Sequence, residues 1–297
     1  MDDTPSSRLA ARLASGDFAI TSELTPPKGI DLGPLLDKAR SLGAHVHAFN
    51  VTDSHNARMS LSALATAHLL LDQGFEPIMQ QTTRDRNRIA LQSDLLGAAA
   101  LGIANVVLMG GDDPSAGDHP DAKPVFDMGT EALIETAGKL TRGTDASGAR
   151  LHGTPRLFIG AVVNPGAKPL EREIARMAKK VEAGARFFQT QAIYDIGRFE
   201  GFLRRVEGLE VPLLAGIIPL KSPKMAQYLN RNVPGIEVPE TLIARMAGAP
   251  NAEEESTAIA AETLSRLRER VQGAHIMAIG WERLIPRIVA EAGLPAA

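Results

Sequence analysis

Glycine marks four junctions where an amphipathic run stops and an apolar run begins: Leu42-Gly43-Ala44, Gln73-Gly74-Phe75, Leu101-Gly102-Ile103 and Ala183-Gly184-Ala185. A glycine in that place accepts the left-handed backbone that ends a helix and turns the chain into a strand. Repetition of the unit constrains the fold more than any single motif. Eight apolar runs fit strands, at 19–24, 45–51, 77–81, 105–109, 157–163, 186–191, 213–218 and 275–279. Most are short and continuously apolar, as parallel strands buried on both faces are.

Helical segments lie between them. In 169–183, Pro169 suits a first helical turn, and Glu171 and Glu173 sit at the positive end. Leu170, Ile174, Met177, Ala178 and Val181 form one apolar stripe, with Lys179 and Lys180 at the negative end. Eight alternating strand–helix units in 297 residues predict an α/β fold, a (β/α)8 TIM-type barrel in a single domain over 1–297. The surplus length goes to a long loop at about 111–130 and an added helical segment at about 253–271. An open doubly wound sheet is the alternative, but no G-x-G-x-x-G follows the first strand.

Composition narrows the class. Thirty-two basic against 35 acidic residues give a net charge of −3, which argues against a nucleic-acid partner. The absence of cysteine excludes disulfides, thiolate nucleophiles and Cys-ligated metal clusters. The start, Met1-Asp2-Asp3-Thr4-Pro5, is too polar for a signal peptide, and no apolar run approaches the ~18 residues of a membrane span. A cytoplasmic enzyme with no membrane partner is expected.

Barrel enzymes work at the C-terminal ends of their strands. Those ends read Glu23; Asn50-Val51-Thr52-Asp53; Gln80-Gln81-Thr82; Gly110-Gly111-Asp112-Asp113; Asn164-Pro165-Gly166; Gln189-Thr190-Gln191; and Gly280-Trp281-Glu282. Glu23 is a lone carboxylate before Pro26-Pro27. Partial burial would raise its pKa and make it a usable general acid; the alternative is a carboxylate paired with an arginine. Gly110-Gly111 lets a ligand approach the backbone or forms a plain turn. Of the seven histidines, His45 and His47 have metal-ligand spacing, but at the wrong end of strand 2. They read as structural, and no metal is expected.

Several short pieces, in order and spacing, resemble one family. They are Ser22-Glu23-Leu24-Thr25-Pro26-Pro27-Lys28, the Gly-Asp-Asp-Pro at 111–114, Lys180-Val181-Glu182-Ala183-Gly184-Ala185, Thr190-Gln191 with Tyr194-Asp195, and Gly216-Ile217-Ile218-Pro219. From Thr21 to Gly293 the chain resembles the methylenetetrahydrofolate reductases, flavin-dependent barrels of one-carbon metabolism. The stretches 83–88, 118–124 and 279–282 are similar to the branch that includes acetogen-type enzymes.

The resemblance implies an FAD-dependent oxidoreductase acting between 5,10-methylenetetrahydrofolate and 5-methyltetrahydrofolate, in either direction, with NAD(P)H as the family's donor. It implies a homo-oligomer and, in this branch, a protein partner. Glu23 matches the catalytic acid, Asp112 the aspartate beside flavin and pterin, and Gln191 the glutamine that contacts folate. Thr52, Lys180 and Glu173 match flavin contacts to the ring, the diphosphate and the ribose. Asp53, His55, Gly110 and Gly111 fall in the flavin-side loops. Gln80, Asn164 and Lys168 stand where the family has histidine, tyrosine and histidine contacts to flavin, and Gly110 replaces an arginine. Leu229 replaces the aromatic that stacks on nicotinamide, with Tyr228 one position away. Trp281 replaces a folate-contacting arginine, with Arg283 close by. Two other classes stay open: a flavin-free pterin or one-carbon barrel enzyme such as a methyltransferase, and a partner-dependent subunit of a reductase complex.

Overall fold

The computed structural model describes residues 5–297; the acidic start at residues 1–4 lies outside it. Eight strands form the frame: β1 (Ala19–Leu24), β2 (Ala48–Val51), β3 (Pro77–Thr82), β4 (Asn105–Met109), β5 (Phe158–Val163), β6 (Phe187–Ala192), β7 (Leu213–Ile217) and β8 (Gly273–Ile276). They pair in parallel and in sequence order, and β8 closes onto β1. Helix α1 (Arg8–Ala14) precedes β1. Helices α2 (Gly33–Leu42), α3 (Ala63–Asp72), α4 (Arg88–Ala100), α5 (Thr130–Thr141), α6 (Leu170–Ala183), α7 (Ile196–Val206) and α8 (Pro223–Asn232) follow β1 to β7 in turn. Two more, α9 (Glu240–Gly248) and α10 (Ala252–Leu267), are inserted before β8, and α11 (Ile285–Glu291) follows it. The fold is the expected (β/α)8 barrel.

Three local expectations change. His45 and Val46 donate their N–H groups to Leu42 O, so they belong to the turn ending α2, and β2 starts at Ala48. Strand β8 starts two residues before the apolar run that suggested it, and Ile279 lies beyond it with φ +49°. Pro169 is the residue before α6 with extended backbone, and the helix begins at Leu170.

The closed end of the barrel is sealed by α1, which apolar periodicity alone did not reveal in so short a run. Leu9 and Leu13 pack onto the inward residues Ala19, Ala48, Ile78, Val107, Phe187 and Leu214. The buried Glu76 carboxylate anchors the helix, accepting from Leu9 N (2.7 Å), Arg8 N (3.2 Å) and Asn105 Nδ2 (2.9 Å). Its charge also opposes the positive helix end. Phe187 can fill the bottom layer because residue 160 is glycine; a Cβ there would lie 2.3 Å from the Phe187 ring. Above this apolar layer the interior turns polar.

Candidate active site at the open end of the barrel

The polar layer is one continuous chain of polar contacts across the barrel. Asn50 on β2 and Gln189 on β6 exchange two amide bonds, at 2.7 and 2.9 Å. These strands are not neighbours, so the bonds cross the interior. Gln189 Nε2 also donates to Thr21 Oγ1 (3.4 Å), and Thr21 Oγ1 lies 2.9 Å from His275 Nδ1. His275 Nε2 faces Glu23 Oε1 at 3.6 Å, and Gln80 Nε2 donates to the same oxygen at 3.4 Å. Such buried groups are costly unless partnered, so the network fixes their positions.

Glu23 stands at the top of this chain, its side chain 23% exposed against 4% for His275. It borders a cavity of about 370 Å³ between the β1 and β8 ends, with Pro27, Lys38, His55, Ile279 and Glu282 among its walls. Burial alone would raise the Glu23 pKa, as expected from the sequence. The bond to His275, the charges of His275 and His55, and the Gln80 amide together outweigh it and hold the carboxyl below its usual value. The expected rise is therefore corrected: the partner is a histidine from the neighbouring strand, not an arginine, and it favours the ionised acid.

On the β2–β4 side the residues interlock. Asp53 accepts from Thr82 N and Oγ1, both at 2.9 Å, and from both Arg86 Nη groups, at 2.8 and 3.1 Å. Arg84, 2% exposed, pairs with Asp85 and reaches the main-chain oxygens of Asp53 and Asp112, each at 3.5 Å. Residues in the 83–88 stretch thus pin the loops after β2, β3 and β4 together, a role visible only once those loops are neighbours. Asp112 and Gly111 are exposed beside them, and Gly110 is half-buried. The long loop crosses to β1 and β2: Asp118 accepts from Lys28 Nζ (2.5 Å) and Met59 N (3.0 Å).

Around β5 and β6, Asn164 donates its N–H to Glu173 Oε1 (3.0 Å), while its side chain holds Gly166 N and Pro234 O. Lys180, 3% exposed, donates to Val162 O at 2.7 Å. Burial pushes its pKa down. Lys168 is exposed in the loop before α6. Gln191 is half-buried where the β6–β7 register slips, and its Oε1 accepts from Ala192 N (2.9 Å). A bulge of this kind re-aims a side chain at the rim of a barrel.

The remaining residues lie around β7 and β8. Arg283 is exposed and paired with Glu253 on α10. Trp281 is half-buried with Lys221 Nζ 5.5 Å from its ring centre. Leu229 packs inward from α8 beside Ile218 and Leu220, whereas Tyr228 is 59% exposed and does not take its place. His47 sits at the opposite, closed end, its Nδ1 accepting from Ile20 N at 3.0 Å.

Two polar groups on this side bear on what the site could hold. Thr52 Oγ1 is buried with no hydrogen-bond partner among the described residues. The Lys180 ammonium is held by a carbonyl and, among the described residues, by no carboxylate. Thr52 lies just past β2, Gly110-Gly111 just past β4, and Lys180 on the helix that follows β5. That donor set suits an extended ligand with a polar ring at one end and phosphate towards the other.

Residues 8–293 match a protein-family model described as methylenetetrahydrofolate reductase. A curated relative, methylenetetrahydrofolate reductase 2 of Schizosaccharomyces pombe, is 25% identical over 228 residues, 72% of this chain and 35% of the relative. The chain therefore spans about a third of that protein. Among solved structures, an uncharacterized protein from Clostridium thermocellum, described as binding two copies of 5-methyl-5,6,7,8-tetrahydrofolic acid, is similar at TM-score 0.60 and 17% identity, covering 96% of this chain and 98% of that one. A 2,3-dimethylmalate lyase is similar at TM-score 0.56 and 14% identity, covering 97% and 82%. At these identities the structural likeness is of the barrel alone.

Proposed function

The chain belongs to the methylenetetrahydrofolate reductase family, and on that premise we propose that it is a flavin-dependent oxidoreductase between 5,10-methylenetetrahydrofolate and 5-methyltetrahydrofolate. The observation that carries this reading is Glu23 at the edge of an open cavity, on top of a fixed polar network. The folate bound by the Clostridium thermocellum protein on a similar barrel supports a ligand of the same class.

FAD, when bound along the arc from Thr52 to Lys180, supplies or accepts the hydride. Thr52 Oγ1 would bond the flavin ring system and Lys180 the diphosphate, with Glu173 towards the ribose. The chain's own groups handle the folate. Opening the five-membered ring of the methylene compound breaks a carbon–nitrogen bond, and Glu23 delivers the proton that the departing nitrogen takes. The exposed Asp112 carboxylate stabilises positive charge on the iminium that ring opening leaves, and accepts from the pterin. Gln191 orients the folate from the β6 bulge. In the oxidising direction Glu23 takes the same proton back.

The nicotinamide side is weaker. Leu229 is buried in the core under α8, and Tyr228 is exposed to solvent. The proposal is therefore of an enzyme better equipped for folate than for NAD(P)H. The test is oxidation of methyltetrahydrofolate by the purified, FAD-supplemented chain with an artificial electron acceptor. Turnover that depends on FAD supports the reading. Turnover without flavin would indicate a flavin-free one-carbon enzyme, and turnover only after a partner protein is added would indicate a subunit of a complex.

A further inference from the structure

We propose that His275 is the positioning residue of the acid: it shares one proton with Glu23 and hands it to the carboxylate for each protonation of folate. The inference rests on Glu23 acting as the folate acid, as proposed above.

Register places the pair. Thr21 on β1 stands opposite His275 on β8, and Glu23 follows Thr21 by two residues, on the same inward face. The ring therefore lies beneath the carboxylate, with Nε2 3.6 Å from Oε1. His275 is 3% exposed, so its route for proton exchange runs through Glu23 and the cavity above it. The other ring nitrogen is fixed by Thr21 Oγ1, which in turn receives Gln189 Nε2 and lies 3.4 Å from Ala274 O. With the Thr21 hydroxyl donating to Ala274 O and Nδ1–H donating to Thr21 Oγ1, one proton can lie between Nε2 and Oε1: on the ring with Glu23 ionised, or on Glu23 with the ring accepting.

The other titratable group acting on Glu23 is His55, from the loop after β2; Gln80, from β3, is neutral. The depressed Glu23 pKa agrees with the pair. A lone acid with a low pKa would be empty at neutral pH and a poor proton donor, whereas a coupled pair retains its last proton to higher pH. The step balances. The shared proton first passes from Nε2 to the carboxylate, and as the carbon–nitrogen bond breaks the nitrogen takes it from Glu23. This leaves the carboxylate ionised above a neutral ring, and solvent at the cavity returns one proton to the pair.

The test compares wild type with His275→Asn in the folate half-reaction across pH, with Glu23→Gln alongside. In the variant the proton has one seat, so the alkaline limb of the rate should move to lower pH by about one unit or more. In substrate-free protein, carbon-13 NMR of Glu23 should show its carboxyl titrating higher in His275→Asn than in wild type, because burial is then opposed only by His55 and the Gln80 amide. Thr21→Val, which frees the ring without removing it, should move the limb in the same direction by less, and serves if His275→Asn does not fold. An unmoved limb and identical Glu23 titration in the variant would overturn the pairing. If Glu23→Gln itself keeps folate turnover, the acid assignment fails instead, and the NMR comparison still decides whether the two residues share a proton.

Discussion

Asp53 and Arg86 form a two-pronged ion pair at 2.8 and 3.1 Å, with the Asp53 side chain 4% exposed. The carboxylate that the sequence resemblance placed among the flavin-side residues therefore also clamps the end of β2 to the loop after β3, through Arg86 and Thr82. Removing one member of a buried pair leaves the other uncompensated, at a cost of about 3–5 kcal/mol. Asp94, 2.8 Å from Arg86 Nε, offsets part of this. Asp53→Ala should thus lower the melting temperature of the cofactor-free protein clearly. An unchanged melting temperature would show that the clamp contributes nothing to the fold.

Lys180 should act on cofactor retention. Met in its place keeps the length of the side chain within a buried site and removes the charge. Loss of a charge-assisted bond to phosphate, roughly 1.5–3 kcal/mol, corresponds to about a tenfold to hundredfold weaker flavin affinity. Equilibrium dialysis of FAD against wild type and Lys180→Met measures it. Equal affinities would leave Lys180 as a support for the β5 backbone at Val162.

Stability should fall as pH drops below neutrality, in part through His47. Burial and the Arg12 guanidinium push its pKa down to about 4 from 6.5. The unfolded chain protonates this ring below about pH 6.5 while the folded chain resists. The contribution is therefore complete above pH 6.5 and is lost progressively down to about pH 4, where the folded ring also charges. Thermal melts at pH 7, 5.5 and 4.5 should show a smaller decline in His47→Asn than in wild type. Parallel declines would assign the acid sensitivity elsewhere.

Glu23→Gln should leave the fold and flavin binding intact and slow folate turnover by about 10²–10⁴-fold, the usual contribution of a general acid. The amide keeps the shape beside Gln80 and has no acidic proton to give. Turnover within a few-fold of wild type would remove Glu23 from the chemistry.

The barrel was legible because strands buried on both faces are continuous apolar runs with glycine at their approaches. Where that signal thins, the sequence misplaces the element. Strand β8 opens with Gly273-Ala274-His275, small and polar, so its apolar tail suggested a later start. Helix α1 shows only Leu9 and Leu13 at helical spacing, too few for a period. Individual site residues such as Glu23 stand out because a lone acid in an apolar strand is conspicuous. Their partners do not. His275 meets Glu23 through the β1–β8 closure, more than 250 residues apart along the chain for the Thr21 contact beside it, and the sign of the Glu23 pKa shift follows from that meeting. Asp53 likewise reads as a free loop carboxylate until Arg86 is brought against it.

The most direct measurement is anaerobic stopped-flow reduction of the FAD-loaded protein by methyltetrahydrofolate and, separately, by NADH. Bleaching of the oxidised flavin by methyltetrahydrofolate is predicted to be rapid, slower by about 10²–10⁴-fold in Glu23→Gln, and faster than bleaching by NADH, which finds Leu229 where an aromatic would stack. A flavin spectrum unchanged by saturating methyltetrahydrofolate would contradict the proposed activity.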